Sequence, residues 1–299
     1  MADRETAGLR GPVKTCSTEH DIAYPDHHWI SHTDDTFSPE GNLIEKLQRH
    51  ATGSHWSIVC RYDEHGRLQE KRQSGDVTWA EGEELFYHYD AAGRLERVMR
   101  HSEKDGERLF ESYQYAGDGT KRQSLYPAPL PPNAGIACEC MLHMSTDTVV
   151  TMMLFDRDGR PATKVLYDAD DRVIRRIAFR YDSRGRLIEE GEIVGGRIRD
   201  DFRNIFQYDE SGRTIEADRK WGDWGGERRT FTYNEQGDLT EVRIETASLL
   251  DDPHVEYWSE RSRFQYDEHR NWTECVTDTV RSSGEITVSA TDRRTLVYY

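Results

Sequence analysis

Two tryptophans set among glycines, in Lys220-Trp221-Gly222-Asp223-Trp224-Gly225-Gly226, are the residues of this sequence best fitted to grip a ligand. Exposed indoles beside acidic and basic groups stack on sugar rings or on peptide side chains. The competing reading is that Trp221 and Trp224 fill core at an open end of a sheet, since Trp is mostly buried. Both readings stand on sequence alone, and these two residues are the expected binding residues. A second set is a ladder of carboxylates. Glu45, Glu70, Glu189, Glu216, Glu241 and Glu274 each lie eight residues after an aromatic residue. Such a ladder can bind a cation or a basic partner. The plainer reading is pairing with nearby arginines at a hairpin rim, where exposed ion pairs are worth little.

Other reactive residues form no assignable site. His20, His27, His28 and His32 crowd a polar stretch without the spacing of a metal motif. Cys138-Glu139-Cys140 with His143 puts two thiols on one face of a strand, where a weak metal site competes with a pair of core cysteines. The five cysteines are odd in number and unevenly spaced, which is no disulfide framework. The sequence holds no Gly-x-Ser-x-Gly elbow, P-loop, dinucleotide fingerprint or His-Glu-x-x-His. No catalytic set, metal centre or cofactor is assigned.

The elements that must position these residues are β-hairpins. Tyr181-Asp182-Ser183-Arg184-Gly185-Arg186-Leu187 shows why. The Asp side chain accepts from backbone N–H groups and starts a turn, and the Gly takes φ > 0 without a Cβ clash. A type I turn followed by such a Gly makes a three-residue hairpin loop with a bulge, placing Tyr181 opposite Leu187. Before the turn, Ile177, Phe179 and Tyr181 alternate with Arg176, Ala178 and Arg180, the period of a half-buried strand. The unit recurs from Phe37-Ser38-Pro39-Glu40-Gly41-Asn42-Leu43 through leading residues Tyr62, Tyr89, Tyr115, Phe155, Tyr167, Tyr208, Tyr233 and Tyr266. Asp171 and Arg270 stand where the turn Gly belongs; Asp tolerates φ > 0, whereas Asn271 is expected to take that role for Arg270. Counting from the leading aromatics, the Glu ladder falls on the Tyr/Leu face, and a one-residue change at the bulge would move it to the other. Tyr126-Pro127-Ala128-Pro129-Leu130-Pro131-Pro132-Asn133 breaks the series, because prolines remove ladder donors. A loop at about 126–137 is the candidate domain boundary; a single domain over 1–299 is preferred, since the repeat resumes on both sides.

These heptads resemble the YD repeat, also called the RHS repeat, of bacterial proteins, from about Phe37 to Cys275. The resemblance implies antiparallel hairpins wound into a sheet that wraps around something or around itself. Large members are hollow shells that enclose a toxic segment, and an accessory or immunity-type role follows from that context. The fold class read here is all-β: antiparallel YD/RHS-type hairpin repeats forming one long curled sheet, a flattened shell, a spiral or a sandwich.

Composition narrows the function. The formal net charge is −16 over 299 residues. That acidity disfavours a nucleic-acid partner and an anionic membrane surface. The high arginine content reads as genome composition. No apolar run is long enough for a membrane helix, and the first residues lack the features of a secretory signal, so the cytoplasm is the expected location unless an unusual exporter handles the chain. The expected function is that of a non-enzymatic β-repeat scaffold binding a protein or glycan partner. The alternative is a hydrolase-like enzyme with its groove at one end of the sheet.

Overall fold

The computed structural model describes residues 3–76, 82–102, 106–126, 150–168, 170–248 and 254–299. A single helical turn, α1 (Asp3–Thr6), precedes twenty strands. They are β1 (Val13–Ala23), β2 (His28–Phe37), β3 (Leu43–His50), β4 (His55–Tyr62), β5 (Leu68–Gly75), β6 (Glu83–Tyr89), β7 (Leu95–Ser102), β8 (Gly106–Tyr115), β9 (Lys121–Leu125) and β10 (Val150–Phe155). The series continues with β11 (Pro161–Tyr167), β12 (Val173–Tyr181), β13 (Leu187–Val194), β14 (Arg197–Tyr208), β15 (Thr214–Lys220), β16 (Gly225–Tyr233), β17 (Leu239–Ser248), β18 (His254–Tyr266), β19 (Trp272–Arg281) and β20 (Ile286–Tyr298). Each strand pairs antiparallel with the next, for example β4 with β5 and β9 with β10. β20 returns to pair with β1 through Leu296 opposite Cys16 and Asp292 opposite His20. The sheet is therefore a closed 20-stranded up-and-down barrel, which corrects the open curled sheet and the spiral expected from the sequence. Closure removes the two raw edges that an open sheet of this size would expose. The proline-rich stretch from Pro127 onwards, with Cys138, Cys140 and His143, lies outside the described residues, as does Trp79.

All the heptads but the one led by Tyr167, which joins β11 to β12 at the opposite rim, sit on one rim, and each turn is built as its sequence dictates. In the turn between β12 and β13, Asp182 N–H donates to Arg186 O at 2.9 Å and Gly185 N–H to Asp182 O at 3.0 Å. Asp182 Oδ1 accepts from the N–H groups of Arg184 and Arg186, both at 2.9 Å. Gly185 has φ 78°, and Tyr181 stands opposite Leu187. Neighbouring turns are then stitched together. Asp182 Oδ2 holds Arg186 Nε at 2.7 Å, and the Arg186 guanidinium lies 4.8 Å from the centre of the Tyr208 ring in the next hairpin. Tyr208 Oη donates back to Leu187 O at 2.6 Å. The same latch joins Arg67 to Tyr89, Arg94 to Tyr115, Arg160 to Tyr181 and Arg213 to Tyr233, with Tyr89 donating to Leu68 O and Tyr233 to Thr214 O. Every residue type in the heptad is thus consumed by turn geometry or by contact between hairpins.

The two faces of the wall differ. One carries the aromatic row, including Phe179, Phe206, Phe231 and Phe264, whose neighbours across the strands are Glu190, Ala217, Val242 and Cys275. The other carries arginines and glutamates. The bulge at each turn shifts the register by one residue, so Glu189 stands opposite Arg180 rather than beside Tyr181. The Glu ladder therefore lies on the arginine face, a correction to the count from the leading aromatics. Glu189 meets Arg180 at 2.9 Å and Glu70 meets Arg61 at 3.2 Å. Among the described residues, side-chain contacts run between near neighbours along the wall. The accessible surface of 18359 Å² exceeds the roughly 13,000 Å² expected of a compact monomer of this mass. A wall one sheet thick accounts for the difference.

The apolar cluster sits where the chain closes. Leu9, Val13, Cys16 and Phe37 pack together with Leu43, Leu296 and Tyr298 against them. Here the heptad changes. Arg270 itself takes φ 63°, correcting the expectation that Asn271 would do so. Asn271 is instead buried at 1% exposure and bonds to the arm that leads into β1.

Candidate functional site

Opposite the heptad rim, the wall around β14–β19 forms a trough on the arginine face. Two cavities make it up, of about 550 Å³ and about 490 Å³. They share Arg228 and Glu245 in their walls, so they adjoin. The strand register explains the grouping. Glu245 on β17 stands opposite Arg228 on β16 and Tyr257 on β18, and Arg243 stands opposite Thr230 and Ser259. Alternation puts all six on one face.

The two halves differ in their mix of charges, the first richer in carboxylates and the second in arginines. Asp200, Asp201, Asp218 and Glu227 line the first, together with Arg219 and Lys220. Arg228, Arg243 and Arg261 line the second, with Tyr257 and Ser259; Arg281 and Trp258, which also border it, stand opposite each other on the other face of the wall. Three of these arginines are braced from the heptad side: Arg228 by Glu216 at 2.8 Å, and Arg243 and Arg261 by Glu241 at 3.0 Å each. The hydrogen bond from Arg243, seconded by that from Arg261, holds the Glu241 carboxyl below the usual carboxylate range. Arg281 is exposed and its guanidinium has no partner among the described residues.

The tryptophan loop borders the acidic half. A 3-10 turn over Gly222–Trp224 links β15 to β16, and Trp221 N–H donates to Gly225 O at 2.9 Å. Gly222, Gly225 and Gly226 line the trough. Trp221 is half-buried, and Trp224 is 51% exposed beside it. The glycines are structural: a Cβ on Gly225, at φ 122°, would lie 1.8 Å from Ala247 O. What the sequence missed are Arg228, Arg243 and Tyr257. Their signal was arginine at alternate positions on neighbouring strands, which composition alone disguised.

The histidines do not converge. His27 pairs with Asp26, His28 with Asp21 and His32 with Glu19. Among the described residues, no three His, Cys, Asp or Glu side chains are grouped to hold a metal. His20 Nδ1 meets Asp292 Oδ1 at 2.7 Å, and Ser31 stands opposite His20 on β2. This row has the residue types of an acyl-transfer triad. Ser31 is 0% exposed, however, and its Oγ makes no hydrogen bond, so neither base nor substrate meets it in this conformation.

A family model described only as an uncharacterised protein matches residues 152–276. No curated protein matches the chain. Among solved structures, one of a TcdB2-TccC3-Cdc42 complex is 12% identical, covering 91% of this chain but 16% of that chain, with a TM-score of 0.38. A porin-like protein from Bacteroides uniformis is 9% identical over 96% of this chain and 98% of its own, with a TM-score of 0.42. A putative outer membrane lipoprotein-sorting protein domain from Vibrio parahaemolyticus is 9% identical over 85% and 90%, with a TM-score of 0.19. These findings correct two expectations. The chain is not assigned to the YD/RHS family, because the family model it matches is an uncharacterised one; its heptads recur because equivalent hairpin turns need the same chemistry. The cytoplasmic location is also withdrawn, since the similar structures include porin-like and outer-membrane-associated proteins. At these scores the likeness assigns no location in its place.

Proposed function

We propose that this chain is a non-enzymatic β-barrel scaffold that holds a protein or glycan partner along the trough of β14–β19, with Trp221 and Trp224 at its edge. The observation that carries this reading is the trough of two adjoining cavities, one richer in carboxylates and the other in arginines, beside a loop with an exposed indole. Opposed charges fix the direction of a bound segment, and an exposed ring supplies contact area. The accessory or immunity-type role rested on the family resemblance and falls with it. A binding role in water, rather than within a lipid bilayer, is supported by charged residues on both faces of the wall. Lys164, Arg175, Glu192 and Arg229 share the aromatic face with Phe179, while Arg180, Glu189 and Arg228 occupy the other. A membrane barrel needs an unbroken apolar band about 25 Å tall on its lipid side.

The test is a glycan array and a partner capture run side by side with wild type, Trp221→Ala, Trp224→Ala and Arg228→Ala. A specific glycan or protein should be retained by wild type and lost from the variants at unchanged Tm. Retention that ignores all three substitutions, or no enrichment in either format, rejects the reading.

A further inference from the structure

We infer that the second cavity of the trough takes an uncharged sugar: one ring of a neutral glycan, stacked on Tyr257 and hydrogen-bonded at its hydroxyls by Glu245, Arg228 and Arg243. This rests on the reading of the trough as a ligand site and decides which of the two partner classes it takes. Charge speaks first, against an ionic ligand. The guanidinium groups of Arg228, Arg243 and Arg261 line the cavity. Glu216 meets Arg228 at 2.8 Å, and Glu241 meets Arg243 and Arg261 at 3.0 Å each. Glu245, in the wall itself, is the third carboxylate. Three cations thus face three anions, and neither sign of ligand charge is favoured. The ion pairs instead hold planar polar groups in fixed directions. A guanidinium has five N–H donors, so each arginine keeps some that its glutamate does not take. Glu245 makes no hydrogen bond among the described residues, and both its oxygens are acceptors. Donors and acceptors side by side suit a row of hydroxyls, each of which donates and accepts.

Register makes the ring and these groups neighbours. Glu245 stands between Arg228 on β16 and Tyr257 on β18, and the next row on the same face is Thr230, Arg243 and Ser259. Tyr257 is 53% exposed, and its carbonyl accepts from Ser282 N–H at 3.2 Å, which ties β18 to the turn after β19. A sugar ring has an apolar C–H face and a polar rim. It matches one exposed aromatic ring bordered by polar side chains. A protein segment binds chiefly through side chains set in apolar pockets. Among the described residues on this face of the cavity, Val280 is the one aliphatic side chain, and at 8% exposure it offers no such pocket. A volume of about 490 Å³ falls within the range of small-ligand sites.

The experiment is a glycan array read at about 0.05 M and about 0.5 M salt. Wild type should retain neutral glycans in preference to their sulfated, sialylated and amino-sugar counterparts. The signal should change by less than about twofold between the two salt concentrations, because salt screens attraction between charges and leaves stacking and hydroxyl contacts alone. Titration calorimetry with the best-retained neutral glycan should show Tyr257→Ala and Glu245→Gln each weakening it about tenfold. Arg61→Gln, on the same face but far along the wall, should bind as wild type. Tyr257 is exposed, so its variant should fold; an unchanged Tm confirms it, and Glu245→Gln gives an independent reading of the same site. A silent array, a preference for charged glycans, a signal that falls with salt, or neutral binding that neither substitution weakens overturns the inference. A protein captured by the trough and lost from Arg228→Ala leaves the scaffold reading in place and removes this one, so the two fail separately.

Discussion

Asn271 and Arg10 bind each other reciprocally across the closure of the barrel: Arg10 N–H donates to Asn271 Oδ1 at 2.6 Å, and Asn271 Nδ2 donates to Arg10 O at 2.8 Å. The same Nδ2 reaches Tyr298 Oη at 2.9 Å, so one amide joins the arm before β1, the turn after β18 and the end of β20. The Arg10 side chain spans the two neighbouring turns, donating to Arg270 O at 2.6 Å and Gln236 O at 2.9 Å. At the turns led by Tyr62, Tyr89, Phe155, Tyr181 and Tyr208 an arginine occupies the Asn271 position and covers the next tyrosine. Here the first and last strands meet, and the arm takes that space.

Removing the amide should loosen the closure. Asn271→Ala leaves a half-buried N–H and C=O of Arg10 without the side chain that pairs them, and should cost about 1–2 kcal/mol. Equilibrium denaturation measures the loss. Hydrogen exchange should show it concentrated in β1 and β20; uniform loosening around the wall would contradict the role given to Asn271.

Arg270 is held at φ 63°, where a side chain is strained. Arg270→Gly should stabilise the protein by about 0.5–1 kcal/mol, the relief of strain outweighing the added freedom of the unfolded chain. A fall in Tm on this substitution would show that the Arg270 side chain contributes a contact that offsets its strain.

Acid should attack the heptad rim. Asp63, Asp90, Asp156, Asp182 and Asp209 are held below the ordinary carboxylate range, first by the backbone N–H of the arginine closing each turn. Their folded values lie below the unfolded value of about 3.9. The stability they supply is therefore complete above about pH 4 and lost as pH falls through the folded values. Asp182→Asn keeps the acceptor, as Asn234 does for Asp238 N–H at 2.8 Å. It should lower stability at neutral pH and flatten the acid limb of a Tm-against-pH curve.

Gly225 fixes the entry of the tryptophan loop into β16. With 1.8 Å between a would-be Cβ and Ala247 O, Gly225→Ala must displace the strand and should cost about 2 kcal/mol or more. Ligand retention by the trough should fall with it. Gly195→Ala, with open space around its Cβ position, is the matched control for the loss of a positive-φ glycine.

Tyr181→Phe removes the O–H that donates to Pro161 O at 2.7 Å. Phe155 stands at the equivalent place in another hairpin, with Lys121 over its ring at 3.9 Å, so the ring contact alone suffices for the position. The expected cost is about 1 kcal/mol, read as a shift in the denaturation midpoint at unchanged m-value.

The amino-acid sequence by itself determined the hairpins. Asp, Gly and the flanking Tyr and Leu act within a few residues of one another, so the turn, its φ > 0 position and the Tyr181–Leu187 pair followed from local chemistry. Turns at both ends of the short strands β10–β12 were legible for the same reason. Closure was not, because the contact of Cys16 with Leu296, and of Arg10 with Asn271, joins residues at opposite ends of the chain, and no local pattern encodes it. The face of the Glu ladder depended on a one-residue bulge that reverses the alternation beyond it. The trough was hidden too: Arg228, Arg243 and Tyr257 lie on three different strands, and only the register of β16–β18 brings them to one place.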